Sequence, residues 1–235
     1  MLINGKPIEL YGAKQLTVDF SPSQQSTTYE WNAGARLPIL IDAYATFKSV
    51  TILLKVTGAN RQEAVKNASI IHGLAAGSAE YELNGYPDWL LCGVLESAPD
   101  LKKTVEKSVY KLTLKVQGYL RSKEQKSAEA NRTTTGHVYV EGTRDTPITL
   151  EVTPVIDMLE FSIYGVAERG ITIKNLSKGI TIYIDSTTGL VTENGKNKFD
   201  DVIMFEFPHL EPGSQEITFS ESTCNVTVKY YPMWR

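Results

Sequence analysis

Apolar and polar residues alternate along most of this chain. In Val50-Ile52-Leu54-Val56, Tyr110-Leu112-Leu114-Val116, Ile148-Leu150-Val152, Ile180-Ile182-Ile184 and Cys224-Val226-Val228-Tyr230 the apolar side chains recur at every second residue. That is the period of a strand with one buried face. Leu159-Phe161-Ile163, Ile171-Ile173, Ile203-Phe205-Phe207 and Ile217-Phe219 extend the pattern. Turn signals punctuate it at Asn4-Gly5, Asn84-Gly85, Thr188-Gly189, Asn194-Gly195 and Pro212-Gly213, and Asn-Gly is the preferred pair of a type I′ hairpin. One segment has a different period. Over Asn60 to Gly77, Ala64, Ala68, Ile71 and Ala75 share a helical face. Asn60 is placed to cap that helix, Glu63 stands where a capping box needs it, and Gly77 can close it. The expectation is a mainly β protein with one helix.

The pattern divides the chain. Residues 1–121 form one block, with the helix at about 60–77. Residues 122–134 are rich in Lys, Glu, Ser and Thr and read as a linker. Residues 135–235 hold roughly seven to nine strand patterns at short spacing, which suits a sandwich or jelly roll. Within the first block, residues 21–45 break the alternation. This excursion is rich in Ser, Thr, Gln and Gly, yet it carries Tyr29, Trp31, Arg36, Leu37, Ile39 and Ile41. Long excursions inside compact domains often serve a purpose. Two readings stay open: a surface hairpin packed on its own sheet, or an arm that buries its aromatics on another subunit. The lysines from Lys102 to Lys115 read as a solvated strand face or a protected sheet edge rather than a basic patch.

Composition adds exclusions. The 235 residues suffice for one large β domain or two ordinary ones. A net charge of −3 gives no support for wrapping nucleic acid or coating an anionic membrane. The first residues lack the apolar core of a signal peptide, and no apolar run reaches the roughly 18 residues that span a bilayer. Cys92 and Cys224 fall inside strand patterns and read as buried free thiols. His72, His137 and His209 share no local motif, so no metal site is expected. No nucleophile, zinc or phosphate-loop motif occurs, and no cofactor is implied. Asp200 and Asp201, as strand neighbours, would point to opposite faces, and Glu206 reads as a solvated strand residue. Tyr139, Tyr164, Tyr183, Tyr230 and Tyr231 could serve a sugar-stacking platform, although alternation puts several of them at core or edge positions and the pattern does not locate a site.

Particular segments carry a family likeness. They are Ile3-Asn4-Gly5-Lys6, the excursion after Phe20, the Asn60–Gly77 helix, and Tyr81 to Pro99 followed by the strand into Gly118-Tyr119-Leu120. Further on come Gly179 to Asp185, Gly189-Leu190-Val191-Thr192, Asn194-Gly195, Phe207-Pro208, Leu210-Glu211-Pro212-Gly213 and Tyr230-Tyr231-Pro232-Met233-Trp234. In their order and spacing the chain resembles the distal tail proteins (Dit) of long-tailed, non-contractile bacteriophages. The resemblance implies an N-terminal β-sandwich or split-barrel-like domain with one helix and a long belt, and a C-terminal galectin-like β-sandwich. It implies a ring, usually a hexamer, that joins the major tail tube protein to the tail-associated hub protein. Such a ring often carries receptor-binding proteins, and it passes the genome without binding it specifically. No enzymatic activity, cofactor or membrane belongs to that picture. The expected location is the virion tail tip, after assembly in the bacterial cytoplasm. In that picture Tyr29, Trp31, Arg36, Leu37 and Ile39 become belt candidates for the subunit interface. The alternative is a carbohydrate-binding or adhesion module that uses the C-terminal sandwich on cell-wall saccharides.

Overall fold

The computed structural model describes residues 1–23, 25–31, 34, 36–37 and 39–235, with the backbone alone at 25, 39 and 42–45. The chain forms two compact units, Met1–Arg121 with Arg235, and Ser122–Trp234.

The N-terminal unit is built on an antiparallel sheet. Its strands run in the order Lys6–Pro7, Leu2–Ile3, Ser78–Glu82, Trp89–Leu95, Val109–Ser122, Lys48–Thr57, Ala13–Ser21. Val109–Ser122 pairs with Lys48–Thr57 in unbroken register from Val109 opposite Thr57 to Gly118 opposite Lys48. The alternation works as expected here: Val50, Ile52, Leu54 and Val56 are buried with Tyr110, Leu112, Leu114 and Val116. The Arg61–Leu74 helix buries Ala64, Ala68 and Ile71, small side chains that permit a close approach. Asn60 Oδ1 accepts the Glu63 N–H at 2.9 Å, a cap whose loss typically costs about 1 kcal/mol. Glu63 reaches back to the N–H of Ala59, one residue short of the usual box, at 2.7 Å. The helix stops at Leu74, before Gly77, whose φ of 74° instead turns the chain into the next strand.

Asn4 and Gly5 adopt φ values of 50° and 72° and close the Ile3/Lys6 hairpin, as a type I′ turn requires. Asn194 and Gly195 do the same at 50° and 72° between Glu193 and Lys196. Asn84-Gly85 does not. Only Gly85 is left-handed there, in a loop between Ser78–Glu82 and Trp89–Leu95. Asn84 is engaged elsewhere: its Oδ1 accepts from the Met1 amino group at 2.7 Å and its N–H donates to Gln15 Oε1 at 2.9 Å.

The C-terminal unit is a sandwich of two sheets. One runs Lys126–Asn131, Cys224–Tyr230, Thr146–Pro154, Ile182–Asp185, Leu190–Glu193, Lys196–Asn197. The other runs Thr135–Val140, Gly213–Phe219, Met158–Tyr164, Ile171–Leu176, Val202–Ile203. Ile148, Leu150, Val152, Val226 and Val228 from the first meet Phe161, Ile163, Ile173, Ile217 and Phe219 from the second in one core. Phe161 and Phe219 stack with ring centroids 5.9 Å apart.

Three expectations need correction. The stretch read as a linker, 122–134, contains an edge strand: Lys126–Asn131 pairs with Cys224–Tyr230. Its inward side chains are Ala128 and Ala130, which suffice at a sandwich edge but leave the composition polar. The Ile203-Phe205-Phe207 alternation is out of frame. Val202 takes the inward position of a two-residue strand, and Ile203 and Phe205 are left 49% and 73% exposed. Leu159 also faces out, whereas Phe161 and Ile163 of the same strand are buried.

Between the Ile171–Leu176 strand and the Phe199–Asp201 turn lies a feature with no periodic signature. Lys198 is buried, and its Nζ donates to the Asn175 carbonyl at 2.9 Å and to Glu193 Oε2 at 3.1 Å. Asp201 lies 3.4 Å away as a second carboxylate. A buried ammonium is tolerable only with such partners.

Cys92 and Cys224 are buried free thiols, one in each unit. Burial raises both pKa values, that of Cys224 to about 12. An unfolded thiol ionises near pH 8.5. The stability owed to these neutral thiols is therefore complete below that pH, and it falls as the pH rises towards the folded-state values. Ellman's reagent at pH 8 is expected to leave both cysteines unlabelled in the folded protein and to label both in 6 M guanidinium. Rapid labelling without denaturant would show that the burial is wrong.

Candidate functional site: an exposed apolar ribbon

The excursion from the N-terminal sheet is a two-stranded antiparallel ribbon, Gln25–Glu30 with Ile39–Ala45, paired with no other strand among the described residues. It continues the Ala13–Ser21/Lys48–Thr57 pair in the same register. Ser21 lies opposite Ser49, and Gln25 lies opposite Ala45. The phase changes once. Thr28 faces Asp42 and Tyr29 faces Leu40, so Ile41 is an inserted bulge residue. A bulge bends a strand and increases its twist.

The described apolar side chains of the ribbon and its connecting loop lie largely in solvent. Tyr29 is 62% exposed, Trp31 61% and Leu37 77%, and Arg36 is exposed as well. Ile39 pairs with Glu30 through the backbone, but its side chain lies outside the described residues. Leu40 and Ile41 are also more than 60% exposed and were missed as candidates. Tyr29 and Leu40 lie directly opposite and so share one face of the ribbon, with Ile41 beside them at the bulge. The reading of this segment as a hairpin packed on its own sheet does not hold for these side chains.

The foot of the ribbon is firmer. Phe20 meets Tyr86 edge-on at 5.1 Å, and Tyr86 stacks on Trp89 at 6.3 Å. Lys48 Nζ stands 5.9 Å from the Phe20 ring centroid, within cation–π range. Phe47, 48% exposed, lies 6.5 Å from the Tyr119 ring. It lines a cleft of about 470 Å³ with Ser21, Glu96 and Lys115.

The C-terminal unit offers a polar cleft of about 390 Å³ between Glu168, Glu206, His209, Glu211 and Gln215. Glu206 is not on a strand, contrary to expectation. Its Oε1 accepts the Glu168 N–H at 2.6 Å and ties two loops together. Asp200 and Asp201 sit in a 3-10 turn, and Asp201 is held by Asn175 at 2.8 Å. Among the described residues no group of His, Cys, Asp and Glu side chains is arranged to hold a metal ion. Among them, too, no helix is long and apolar enough to cross a membrane.

Comparison with known proteins finds a likeness in sequence for part of the chain and a likeness in fold for all of it. Residues 141–234 match the model of the siphovirus-type tail component, C-terminal domain. The crystal structure of the Dit protein of phage SPP1, described as a hub of the adsorption apparatus in phages infecting Gram-positive bacteria, has the same fold. It superposes with a TM-score of 0.78 over 100% of this chain and 98% of that one, at 11% identity. Chains of the phage P2 baseplate in its activated conformation score 0.47 with calcium and 0.45 with strontium. Each of those covers 93% of this chain and 90% of its own, at 11% and 12% identity. Scores at that level carry no argument. No curated protein matches the sequence. Within the C-terminal unit, residues 141–234 are thus similar to a siphovirus-type tail component domain. Over its full length the chain has the fold of a distal tail (Dit) protein.

Because Trp31 packs against so little of its own unit, Trp31→Ala is expected to change the unfolding free energy by no more than about 0.5 kcal/mol, as for other surface positions. Urea unfolding followed by circular dichroism checks this. A loss of several kcal/mol would mean that the ribbon is part of the unit's core.

Proposed function

We propose that this protein is a structural component of a phage or prophage tail tip, and that its ribbon is the arm by which one protomer holds the next. The exposed apolar side chains of the ribbon carry this reading. An isolated two-stranded hairpin is marginal in water, and contiguous exposed apolar surface commonly marks an interaction site. A ring needs a heterologous contact, one surface on each copy meeting a different surface on the next. An arm with Tyr29, Trp31, Arg36 and Leu37 along it meets that need. Burying each large side chain contributes about 1.5–3 kcal/mol before association costs. The fold shared with the SPP1 hub protein supports a ring, a hexamer on this reading, with the tail tube protein on one side and the tail-associated hub protein on the other. Receptor-binding proteins are further partners, and the genome passes through the hole without specific contacts. The role is one of scaffold and connector, with no catalysis.

In the presence of tube and hub proteins, negative-stain images should show closed rings of the wild type. Trp31→Ala combined with Leu37→Asp should leave a folded monomer and lower ring yield at least about tenfold. Rings unchanged in the double variant would remove the arm from the interface. A strict monomer of the wild type at every concentration would remove the ring itself.

A second reading, recognition of cell-wall saccharides by the C-terminal sandwich, has one observation in its favour. Phe205 is 73% exposed beside the polar cleft, with the Arg169 guanidinium 4.7 Å from its ring. Aromatic faces and polar hydroxyl partners are what a sugar needs. The full chain is expected to sediment with host cell walls, and Phe205→Ala is expected to abolish this. Equal sedimentation of the variant would exclude Phe205 from such a site.

A further inference from the structure

The solvent face of the N-terminal sheet carries a charged surface that the ribbon does not explain. Lys14 lies opposite Lys55, Lys55 opposite Lys111, and Lys111 opposite Lys102. Residues directly opposite on antiparallel strands share a face. Four ammonium groups therefore form one row across four adjacent strands, spanning about 14 Å at the usual strand spacing. Like charges in that position repel. Two are compensated, Lys55 by Glu106 at 3.6 Å and Lys102 by Asp100 at 2.9 Å. Lys14 and Lys111 have no ion pair among the described residues.

Apolar surface lies beside the row, next to Lys55 and Lys111. Gln15 faces Leu54 and Thr17 faces Leu53, so Leu16 is a bulge residue. Bulges re-aim side chains, and this one leaves Leu16 43% exposed beside the lysines. Leu16 lines a cleft of about 300 Å³ with Val105, Val109, Lys55, Lys111, Thr104 and Glu106, whose carboxylate is the one paired with Lys55. Val105, at the tip of the adjoining loop, is fully exposed. Lysines alone would protect a sheet face from stacking or misassociation. That purpose needs neither a leucine turned outward by a bulge nor a valine held above it.

We propose that this face docks an acidic segment of a partner protein that carries one aliphatic side chain. The aliphatic group enters between Leu16, Val105 and Val109, and flanking carboxylates meet Lys14 and Lys111. The cleft admits one or two side chains, which suits an anchor residue rather than a broad interface. No aromatic side chain lines it, so it offers no stacking platform for a nucleic-acid strand. The cleft's lining residues are distinct from those of the ribbon.

The probe is a fluorescein-labelled peptide with a leucine between two pairs of acidic residues, titrated with the full chain. Saturable binding is expected at low salt. It should weaken at least about tenfold between 0.05 M and 0.5 M salt, as exposed charges are screened. Lys111→Glu, and replacement of the peptide's leucine by serine, should each weaken it at least about tenfold. Lys66→Glu, on an exposed face of the helix, should leave it unchanged. The proposal fails if there is no saturable binding, or if the serine peptide binds equally well. Displacement by duplex DNA at equal charge concentration would make the face a general polyanion surface and overturn it. If Lys111→Glu changed the sedimentation of the protein alone, a second copy would be the occupant, and the proposal would again fail.

Discussion

Two strands paired only with each other have no interior. Whatever apolar side chains they carry must find another surface or stay in water, and no rearrangement of the ribbon itself changes this. From Gln25 to Ala45 this chain places Tyr29, Trp31, Leu37, Leu40 and Ile41 in that position. The apolar surface is a standing cost for the monomer and a source of binding energy for an assembly. The same constraint asks for a rigid root, since a floppy arm would lose in ordering entropy what its anchors gain.

The root is supplied by register. The ribbon is the outer length of a hairpin whose inner length, Ala13–Ser21 with Lys48–Thr57, lies at the sheet's edge. Lys48–Thr57 is in turn paired along ten positions with Val109–Ser122, and its inward side chains are buried. Around the foot, Phe20 meets Tyr86 edge-on, Tyr86 stacks on Trp89, and Lys48 caps the Phe20 face. A slip of one residue would turn every buried side chain of Lys48–Thr57 to the solvent. The core therefore fixes where the ribbon's residues project.

Much of this was legible in the sequence, for identifiable physical reasons. Period-2 alternation marks strands with one buried face, and it located Val50–Val56, Ile148–Val152 and Cys224–Tyr230 correctly. Asn4-Gly5 and Asn194-Gly195 disclosed their hairpins because few other residue pairs tolerate two successive left-handed conformations. The failures are as instructive. Lys126–Asn131 escaped notice because an edge strand over a sandwich core needs no more than alanines. Ile203 and Phe205 misled because hydrophobicity does not reveal phase when the buried partner, Val202, is the smaller residue. Lys198 gave no signal, since its role depends on Asn175 and Glu193, which are brought to it from other strands. In the ribbon the apolar residues were visible but their exposure was not. Composition alone cannot distinguish a side chain awaiting a partner from one already packed.

The 11% identity at which this chain shares its fold with the SPP1 protein follows from the same physics. A sandwich constrains the phase of its strands, the volume of its core and a few backbone positions. Within those limits apolar residues interchange widely. Some positions permit no exchange. A Cβ on Gly118 would overlap the Cys92 carbonyl, and one on Gly93 would overlap the carbonyl of Gln117, so two central strands approach through paired glycines. Such backbone contacts, together with the left-handed turns, hold the architecture while the surfaces diverge. The outward residues are free to specialise because the fold does not depend on them. The Lys14–Lys55–Lys111–Lys102 row and the ribbon's aromatics both belong to that free set. Neither stabilises the unit that carries it: the row repels itself, and the aromatics face water. Features that the fold does not require, and that cost it stability, are where recognition is to be sought.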